Sequence, residues 1–255
     1  MRILFALFFA ISISLTATAN SANSLKAKAD SAYQAQDFPQ ACALYEALIE
    51  ESPSADAYYN MGNAFYRQKK VGKAILAYER ALWLSPDHED AHHNLEILRS
   101  NLPDRFASKS TSFISQKLAQ LIESRSVETW VAWSFLWAVL TLALALLYRI
   151  ATRVMLRKIG FFGALATLTL FLLATLFAFI QRNAFYHNPR AVIITTSAES
   201  YSSPTENSNK SRLLHEGTTI SLIERSGKNW LQVELPDGST TWLKKESIEE
   251  VITNF

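Results

Sequence analysis

Two long stretches without charge constrain this chain more than any other feature. They cover residues 129–148 and 159–180, and neither contains Asp, Glu, Lys or Arg. A helix rises 1.5 Å per residue, so either stretch is long enough to cross a hydrocarbon core of about 30 Å. The sequence therefore predicts two transmembrane helices with these bounds.

The loop between the two stretches, residues 149–158, carries four basic residues and no acidic one. Short loops rich in Arg and Lys stay in the cytoplasm, so we expect a hairpin with its turn inside and both flanking domains outside. Arg149, Arg153 and Arg157 recur every four residues, which leaves a lipid-headgroup or partner site as the alternative interpretation. Retention of the loop in the cytoplasm is the simpler one.

The N-terminus has the pattern of a secretory signal peptide. Met1-Arg2 precedes an uncharged segment, residues 3–15, and a small-x-small site ends at Ala19. We predict a signal peptide over residues 1–19. An uncleaved anchor helix is the alternative, for which the apolar segment is short. Both this segment and the basic loop predict an inner-membrane protein whose N- and C-terminal domains are periplasmic.

Residues 20–103 contain an internal repeat. Four residues recur 33 positions later and two recur 34 positions later: Ala41, Tyr45, Glu46 and Pro53 as Ala74, Tyr78, Glu79 and Pro86, then Ala57 and Asn60 as Ala91 and Asn94. The spacing Tyr58-x2-Met61-Gly62-x2-Phe65…Ala74-x3-Tyr78…Pro86 resembles the tetratricopeptide repeat. In such a pattern small residues let two helices approach, aromatic rings fill the remaining space, and proline ends the second helix. A degenerate repeat at about 23–53 precedes this copy, and a half repeat at about 88–101 follows it.

The resemblance implies a concave surface that binds extended peptides. The residues expected to face it are Tyr59, Asn60, Asn63, Tyr66, Arg67, His93 and Asn94. Asparagine amides can bond a peptide backbone, and Arg67 could take a carboxylate. The alternative is that Asn60 and Asn94 only satisfy neighbouring helices.

A linker of residues 104–128 separates the repeats from the first apolar stretch. It carries an apolar stripe at helical spacing: Phe113, Ile114, Leu118, Leu121 and Ile122. This helix either lies on the membrane surface or caps the repeats, and the sequence does not choose between them. A second linker, residues 181–189, follows the second apolar stretch.

Residues 190–251 predict a small all-β domain, followed by a tail at 252–255. The expected strands are Val192–Thr196, Thr218–Ile223, Trp230–Leu235 and Thr240–Leu243, with Gly227 and Gly238 in hairpin turns. The spacing of Gly217, Trp230, Val233, Gly238 and Trp242 is similar to that of bacterial SH3-like domains, although Thr241 replaces the usual glycine. The resemblance implies a closed barrel with Tyr201, Trp230 and Trp242 as candidates for a binding surface. For Trp242, core packing is the favoured role and the binding surface is the alternative.

The sequence predicts no enzymatic, metal or cofactor site. His88-Glu89-Asp90-Ala91-His92 matches the zinc-protease pattern HExxH, but His88 follows Pro86 so closely that it falls in a turn. The single cysteine, Cys42, excludes an intrachain disulfide and a cysteine-based metal site. The formal net charge of +2 gives no basic field of the kind that nucleic-acid binding needs.

The segments together predict a multidomain membrane protein with all-α tetratricopeptide repeats, a two-helix transmembrane hairpin and an all-β SH3-like barrel. This order resembles the tetratricopeptide members of the bacterial aerotolerance (Bat) system, the BatE-like proteins. The resemblance implies membrane-protein partners with von Willebrand A domains, an associated MoxR-type ATPase system, and a role in envelope or oxidative-stress tolerance. Membrane lipid is a further expected partner. A cell-wall sensor whose barrel binds peptidoglycan is the alternative function.

Overall fold

The computed structural model describes residues 21–107, 113–187 and 189–252. The predicted signal peptide at 1–19 and nearly all of the tail at 252–255 lie outside the described residues. The described chain forms two compact units, one made by residues 21–107 together with 189–252 and the other by residues 113–187. The first unit therefore joins segments from both sides of the apolar stretches.

Five helices form the N-terminal part of the first unit. They are α1 (residues 21–34), α2 (Phe38–Glu51), α3 (Ala55–Arg67), α4 (Val71–Leu84) and α5 (Glu89–Ser100). The side chains of Asp37, Ser54 and His88 cap α2, α3 and α5 by accepting backbone N–H groups at 3.1–3.2 Å. The predicted all-helical repeat region is confirmed.

The repeats are held together by aromatic rings packed against small residues. A Cβ on Gly62 of α3 would lie 2.6 Å from the Tyr78 ring of α4, so only glycine permits this approach. Tyr78 is 1% exposed, and its hydroxyl donates to Asn63 Oδ1 at 2.6 Å. One repeat earlier, the buried Tyr45 donates to Asp30 Oδ1 at the same distance. The degenerate first repeat therefore has the same hydrogen bond between its two helices as the second.

Seven antiparallel strands form the C-terminal part of the first unit. They are β1 (Arg190–Ile193), β2 (Ser197–Tyr201), β3 (Lys210–His215), β4 (Thr219–Ser226), β5 (Trp230–Glu234), β6 (Thr240–Lys244) and β7 (Ile248–Glu250). They make one sheet in the order β3-β2-β6-β5-β4-β1-β7. The ladder ends at β3 and β7 without closing, so the SH3-like barrel stays a prediction.

The predicted strands need correction at several points. β1 ends at Ile193 instead of Thr196, because the chain turns there and Ile193 O accepts the Gly217 N–H at 2.8 Å. Strands β2, β3 and β7 were not predicted. β2 is built on small or polar residues, and its Ser200 is fully buried with its hydroxyl accepting the Arg212 N–H. The expected alternation in β5 is confirmed, since Leu231 and Val233 are buried.

The two predicted hairpin turns are confirmed by left-handed glycines. Gly227, between β4 and β5, has a φ of 62°, and Gly238, between β5 and β6, has a φ of 86°. Both values lie in the region that residues with a Cβ rarely adopt. These turns set the register that places Trp230 opposite Lys244.

The repeats and the sheet share one hydrophobic core. Val192 of β1 and Val251 are buried in the same cluster as the helices of the repeats, and Ile194 packs against it. At the closest approach, a Cβ on Gly72 of α4 would lie 2.7 Å from the Ile193 carbonyl oxygen. The sheet thus packs on α4 beside α5, where the half repeat has no second helix of its own because residues 101–107 are not helical.

A buried carboxylate joins α4 to the sheet. Glu79 is fully buried, and it forms ion pairs with Arg99 of α5 and with Arg190 of β1, the latter at 2.9 Å. The next residue, Arg80, is itself paired with Glu249 at 3.0 Å and donates to the backbone carbonyls of Glu250, the last residue of β7, and Val251. The charges of Glu79 and Arg80 are therefore each paired with an opposite charge.

A second polar contact ties the end of the repeats to the β3–β4 turn. Asp104 accepts the backbone N–H of His215 at 2.7 Å and the hydroxyl of Thr218 at 2.6 Å, and its other oxygen lies 2.6 Å from His215 Nδ1. Burial alone would raise the pKa of Asp104, but these hydrogen bonds outweigh it and hold that pKa below its ordinary value. Asp104 is therefore a stable carboxylate at neutral pH.

The second unit consists of α6 (Phe113–Glu123), α7 (Val127–Ile150) and α8 (Val154–His187). By length and composition, α7 and α8 are able to cross a membrane. They pack closely, since a Cβ on Gly160 would lie 2.7 Å from Tyr148 N, and Thr141 donates to Thr167 at 2.9 Å. Both helices extend beyond the predicted stretches and into charged residues. A charged side chain at a helix end does not interrupt the backbone hydrogen bonds of the helix. The turn is only residues 151–153.

Candidate partner-binding surface

Four side chains from α3, α4 and α5 form a connected polar cluster, which we call the groove cluster: Tyr59, Asn63, Tyr78 and Asn94. The Asn94 side-chain N–H donates to Asn63 Oδ1 at 3.1 Å and lies 3.4 Å from the hydroxyls of Tyr59 and Tyr78. Tyr78 donates to the same Asn63 oxygen. The cluster is the point at which the first helices of successive repeats meet.

The groove cluster leaves hydrogen-bonding capacity open. Asn63 and Asn94 are half-buried, and within the described part of the chain neither the Asn63 amide nitrogen nor the Asn94 amide oxygen has a partner. One free donor and one free acceptor on adjacent helices match the two groups that each residue of a peptide backbone presents. The cluster can therefore hold an extended chain.

Burial fixes the protonation state within the cluster. It raises the pKa of Tyr78 well above the ordinary tyrosine value, even though the hydrogen bond from Asn94 acts in the opposite direction. Tyr78 therefore stays a hydrogen-bond donor, which keeps the Asn63 oxygen occupied and directs the Asn63 amide nitrogen elsewhere.

His88 extends the groove cluster at its edge. Its ring lies 4.9 Å from the Tyr59 ring, and its Nε2 lies 3.3 Å from Asp56 Oδ1. His88 Nδ1 accepts the Ala91 N–H as the cap of α5, and His92 Nε2 lies 2.8 Å from the carbonyl oxygen of Pro86. Across residues 21–107, 113–187 and 189–252, no three His, Cys, Asp or Glu side chains are placed to hold a metal ion.

The predicted surface residues divide into two groups. Tyr59, Asn63 and Asn94 are brought together in the groove cluster. The other four do not bond to it, although those on α3 share its face: Asn60, Tyr66, Arg67 and His93. Arg67 lies over the Phe38 ring at 4.6 Å, and Tyr66 is 51% exposed.

Three contributors to this surface were not predicted as site residues: Asp56, Tyr78 and His88. Tyr78 was assigned to helix packing alone. Asp56 lies three residues before Tyr59 and therefore on the same helical face, so spacing alone was enough to include it.

The family comparison concerns this helical region. Residues 26–92 match the tetratricopeptide repeat family. The match lies within α1 to α5 and contains Tyr59, Asn63, Tyr78 and His88. This family is generally a non-enzymatic protein-interaction scaffold. A comparison of the chain with curated proteins finds no match.

A second cluster lies on the sheet and consists of Tyr201, Trp230 and Trp242, which we call the outer aromatic face. Trp230 and Trp242 are partly exposed, whereas Tyr201 is 7% exposed, so the prediction of Tyr201 as a surface residue needs correction. Tyr201 stands opposite Trp242 in the β2–β6 pair, and its ring meets the Trp230 ring edge-on at 5.1 Å. The strand neighbours Leu231 and Leu243 are buried in the core of the sheet. Trp230 and Trp242 therefore point to the opposite face, so the favoured expectation that Trp242 packs in the core needs correction.

Proposed function

We propose that this chain is a membrane-anchored adaptor that binds partner proteins through its tetratricopeptide repeats. The observation that carries this proposal is the free amide donor of Asn63 and the free amide acceptor of Asn94, side by side in the groove cluster. Both groups match an incoming peptide backbone, and the exposed ring of Tyr66 adds apolar area on the same face.

Membrane anchoring through α7 and α8 is supported by the shared core of the first unit. Residues 21–107 and 189–252 pack on each other, so they must lie on the same side of any membrane that the intervening chain crosses. Two crossings satisfy this requirement and one does not. The basic residues around the turn favour a cytoplasmic turn, which puts the first unit in the periplasm of a bacterial inner-membrane protein.

The partners we propose are membrane proteins with von Willebrand A domains, acting with a MoxR-type ATPase in a Bat-type complex for envelope or oxidative-stress tolerance. This part of the proposal rests on the resemblance in segment order. The SH3-like character of the sheet domain belongs to the same resemblance.

The adaptor proposal is tested by cross-linking and affinity purification of the full chain from cells. The Tyr59→Ala, Arg67→Ala double variant should lose its main partner, whereas Glu96→Ala, an exposed change on α5, should keep it. Thermal unfolding of each variant shows whether it is folded. Recovery of no partner, or of the same partners by the folded double variant, would refute the proposal.

Topology has a separate test. A reporter that is active only outside the cytoplasm should be active when fused after Phe255 and inactive when inserted after Thr152. The reverse pattern, or equal activity at both positions, contradicts the hairpin topology.

A second candidate function is binding of peptidoglycan, and the outer aromatic face favours it. Stacked or edge-on aromatic rings offer apolar faces to sugar rings as well as to peptides. The full chain in detergent should then sediment with purified sacculi, and Trp230→Ala should abolish this while Lys228→Ala in the neighbouring turn does not. No sedimentation, or equal sedimentation of both variants, would exclude this function.

A further inference from the structure

Helix α6 carries an apolar stripe that the described protein leaves uncovered. Ile114, Leu118 and Leu121 lie along one side of the helix and are 78%, 45% and 50% exposed. Ile122, at the edge of the same stripe, is only 7% exposed because it packs within the second unit. The helix is thus attached along one edge and open along its apolar side.

The attachment places the C-terminal end of α6 at the ends of the two long apolar helices. The Trp130 indole N–H, in the first turn of α7, donates to Ile122 O at 3.0 Å. The Gln181 amide, near the end of α8, donates to Arg125 O at 2.8 Å. If α7 and α8 cross a membrane, these bonds hold α6 at the boundary between the hydrocarbon core and the headgroups, where tryptophan is enriched.

The chemistry of α6 fits this boundary. Lys117 flanks the apolar stripe, and its Nζ donates at 3.2 Å to Oε1 of Gln120, which lies further from the stripe. Helix α7 also exposes apolar side chains, such as Val131 and Phe135 at 52% and 72%. A helix with one apolar and one polar side is typical of segments that lie in the membrane surface.

We propose that α6 is a lipid-binding element that lies in the outer leaflet, with Ile114, Leu118 and Leu121 inserted among phospholipid acyl chains. This inference rests on the membrane anchoring proposed above. It assigns α6 the role of fixing where the chain leaves the membrane towards the periplasmic unit.

The test uses the full chain reconstituted in vesicles of phosphatidylethanolamine and phosphatidylglycerol. Single cysteines replace Leu118, Gln120 or Val139 in a Cys42→Ala background, and each carries a nitroxide spin label. Collision rates with oxygen, which concentrates in lipid, and with a water-soluble nickel complex then give the depth of each label. Leu118 tests the stripe, Gln120 is its control on the polar side of α6, and Val139 reports on the middle of α7.

The label at position 118 should lie about 5–10 Å below the headgroups, with an oxygen-to-nickel collision ratio several-fold above that at position 120. A label at 118 that is as accessible to nickel as that at 120 would overturn the proposal. So would a label at 118 that is immobile and shielded from both reagents, because protein would then cover the stripe. The label at 139 separates the two proposals: if it is not deep in lipid, membrane anchoring itself fails.

Discussion

At the scale of single residues, Glu79 shows that residues at equivalent positions of two repeats can differ in burial. Glu46 occupies the equivalent place one repeat earlier and is exposed, whereas Glu79 is fully buried because the sheet covers it. A buried carboxylate is tolerated when cations pair with it, and Arg99 and Arg190 do so. Removing its charge leaves water alone to compensate those two cations.

We predict that Glu79→Gln lowers the free energy of unfolding by about 2–3 kcal/mol. This is below the full effect of breaking a buried pair, because both arginines are partly exposed and water compensates them. Glu46→Gln is the matched control and should change stability by less than about 0.5 kcal/mol. Thermal or urea unfolding of the detergent-solubilised chain measures both, and equal effects would show that the ion pairs contribute nothing.

Asp104 gives a prediction about pH. Its folded-state pKa lies below the ordinary 3.8, so its contribution to stability is complete above that pH and is lost as the pH falls through the folded value. Asp104→Asn should therefore be less stable than the wild type at pH 7, by about 1–2 kcal/mol. The difference should shrink below pH 3.8. Unfolding curves at pH 7, 5 and 3 check this, with the exposed Asp90→Asn as control.

At the scale of secondary-structure elements, the approach of α4 to β1 depends on a residue without a side chain. A methyl group on Gly72 would meet the Ile193 carbonyl oxygen at 2.7 Å, and a backbone atom cannot rotate away. Gly72→Ala should push the sheet from the repeats and destabilise the first unit by about 1–3 kcal/mol. Hydrogen exchange should rise at the Gly217 amide, which donates to Ile193 O.

The neighbouring exposed residue provides the control for this change. Lys73→Ala lies on the same turn of α4 but away from the sheet, and it should leave exchange at Gly217 unchanged. If Gly72→Ala behaves like Lys73→Ala, then α4 and β1 are not in close contact in solution.

At the scale of the whole molecule, the repeats and the sheet domain form one folding unit although α6, α7 and α8 separate them in the chain. We predict that replacing residues 113–187 with a flexible Gly/Ser linker yields a soluble protein that unfolds in one cooperative transition. The shared core makes the two parts depend on each other. Val192→Asp, which places a charge in that core, should abolish the single transition. Two separate unfolding transitions in the linker-containing protein without the Val192→Asp change would show that the repeats and the sheet fold as independent domains.

Local pattern was sufficient for much of this architecture. The 33-residue repeat, the small Gly62 beneath an aromatic ring, the two apolar helices and the glycine turns of the sheet were all predictable, because each depends on residues close in sequence. Strands β2, β3 and β7 were missed for a physical reason. In β2 two of the buried residues are Ala198 and Ser200, which become core only when another segment covers them. In β3 and β7 only one residue each is buried, Leu214 and Ile248, so neither strand shows an apolar alternation.

The sequence alone determined the helical repeats, the two long apolar helices and four of the seven strands, and it predicted Tyr59, Asn63 and Asn94 as surface residues. Only the tertiary structure decided which side chains meet. It joined Asp104 to His215 across 111 residues, turned Trp230 and Trp242 away from the core of the sheet, and buried Glu79 while leaving Glu46 exposed. The periodicity of a sequence shows which residues share one face of a helix or strand. Whether those residues are buried or paired with a charge depends on the other element that packs against that face.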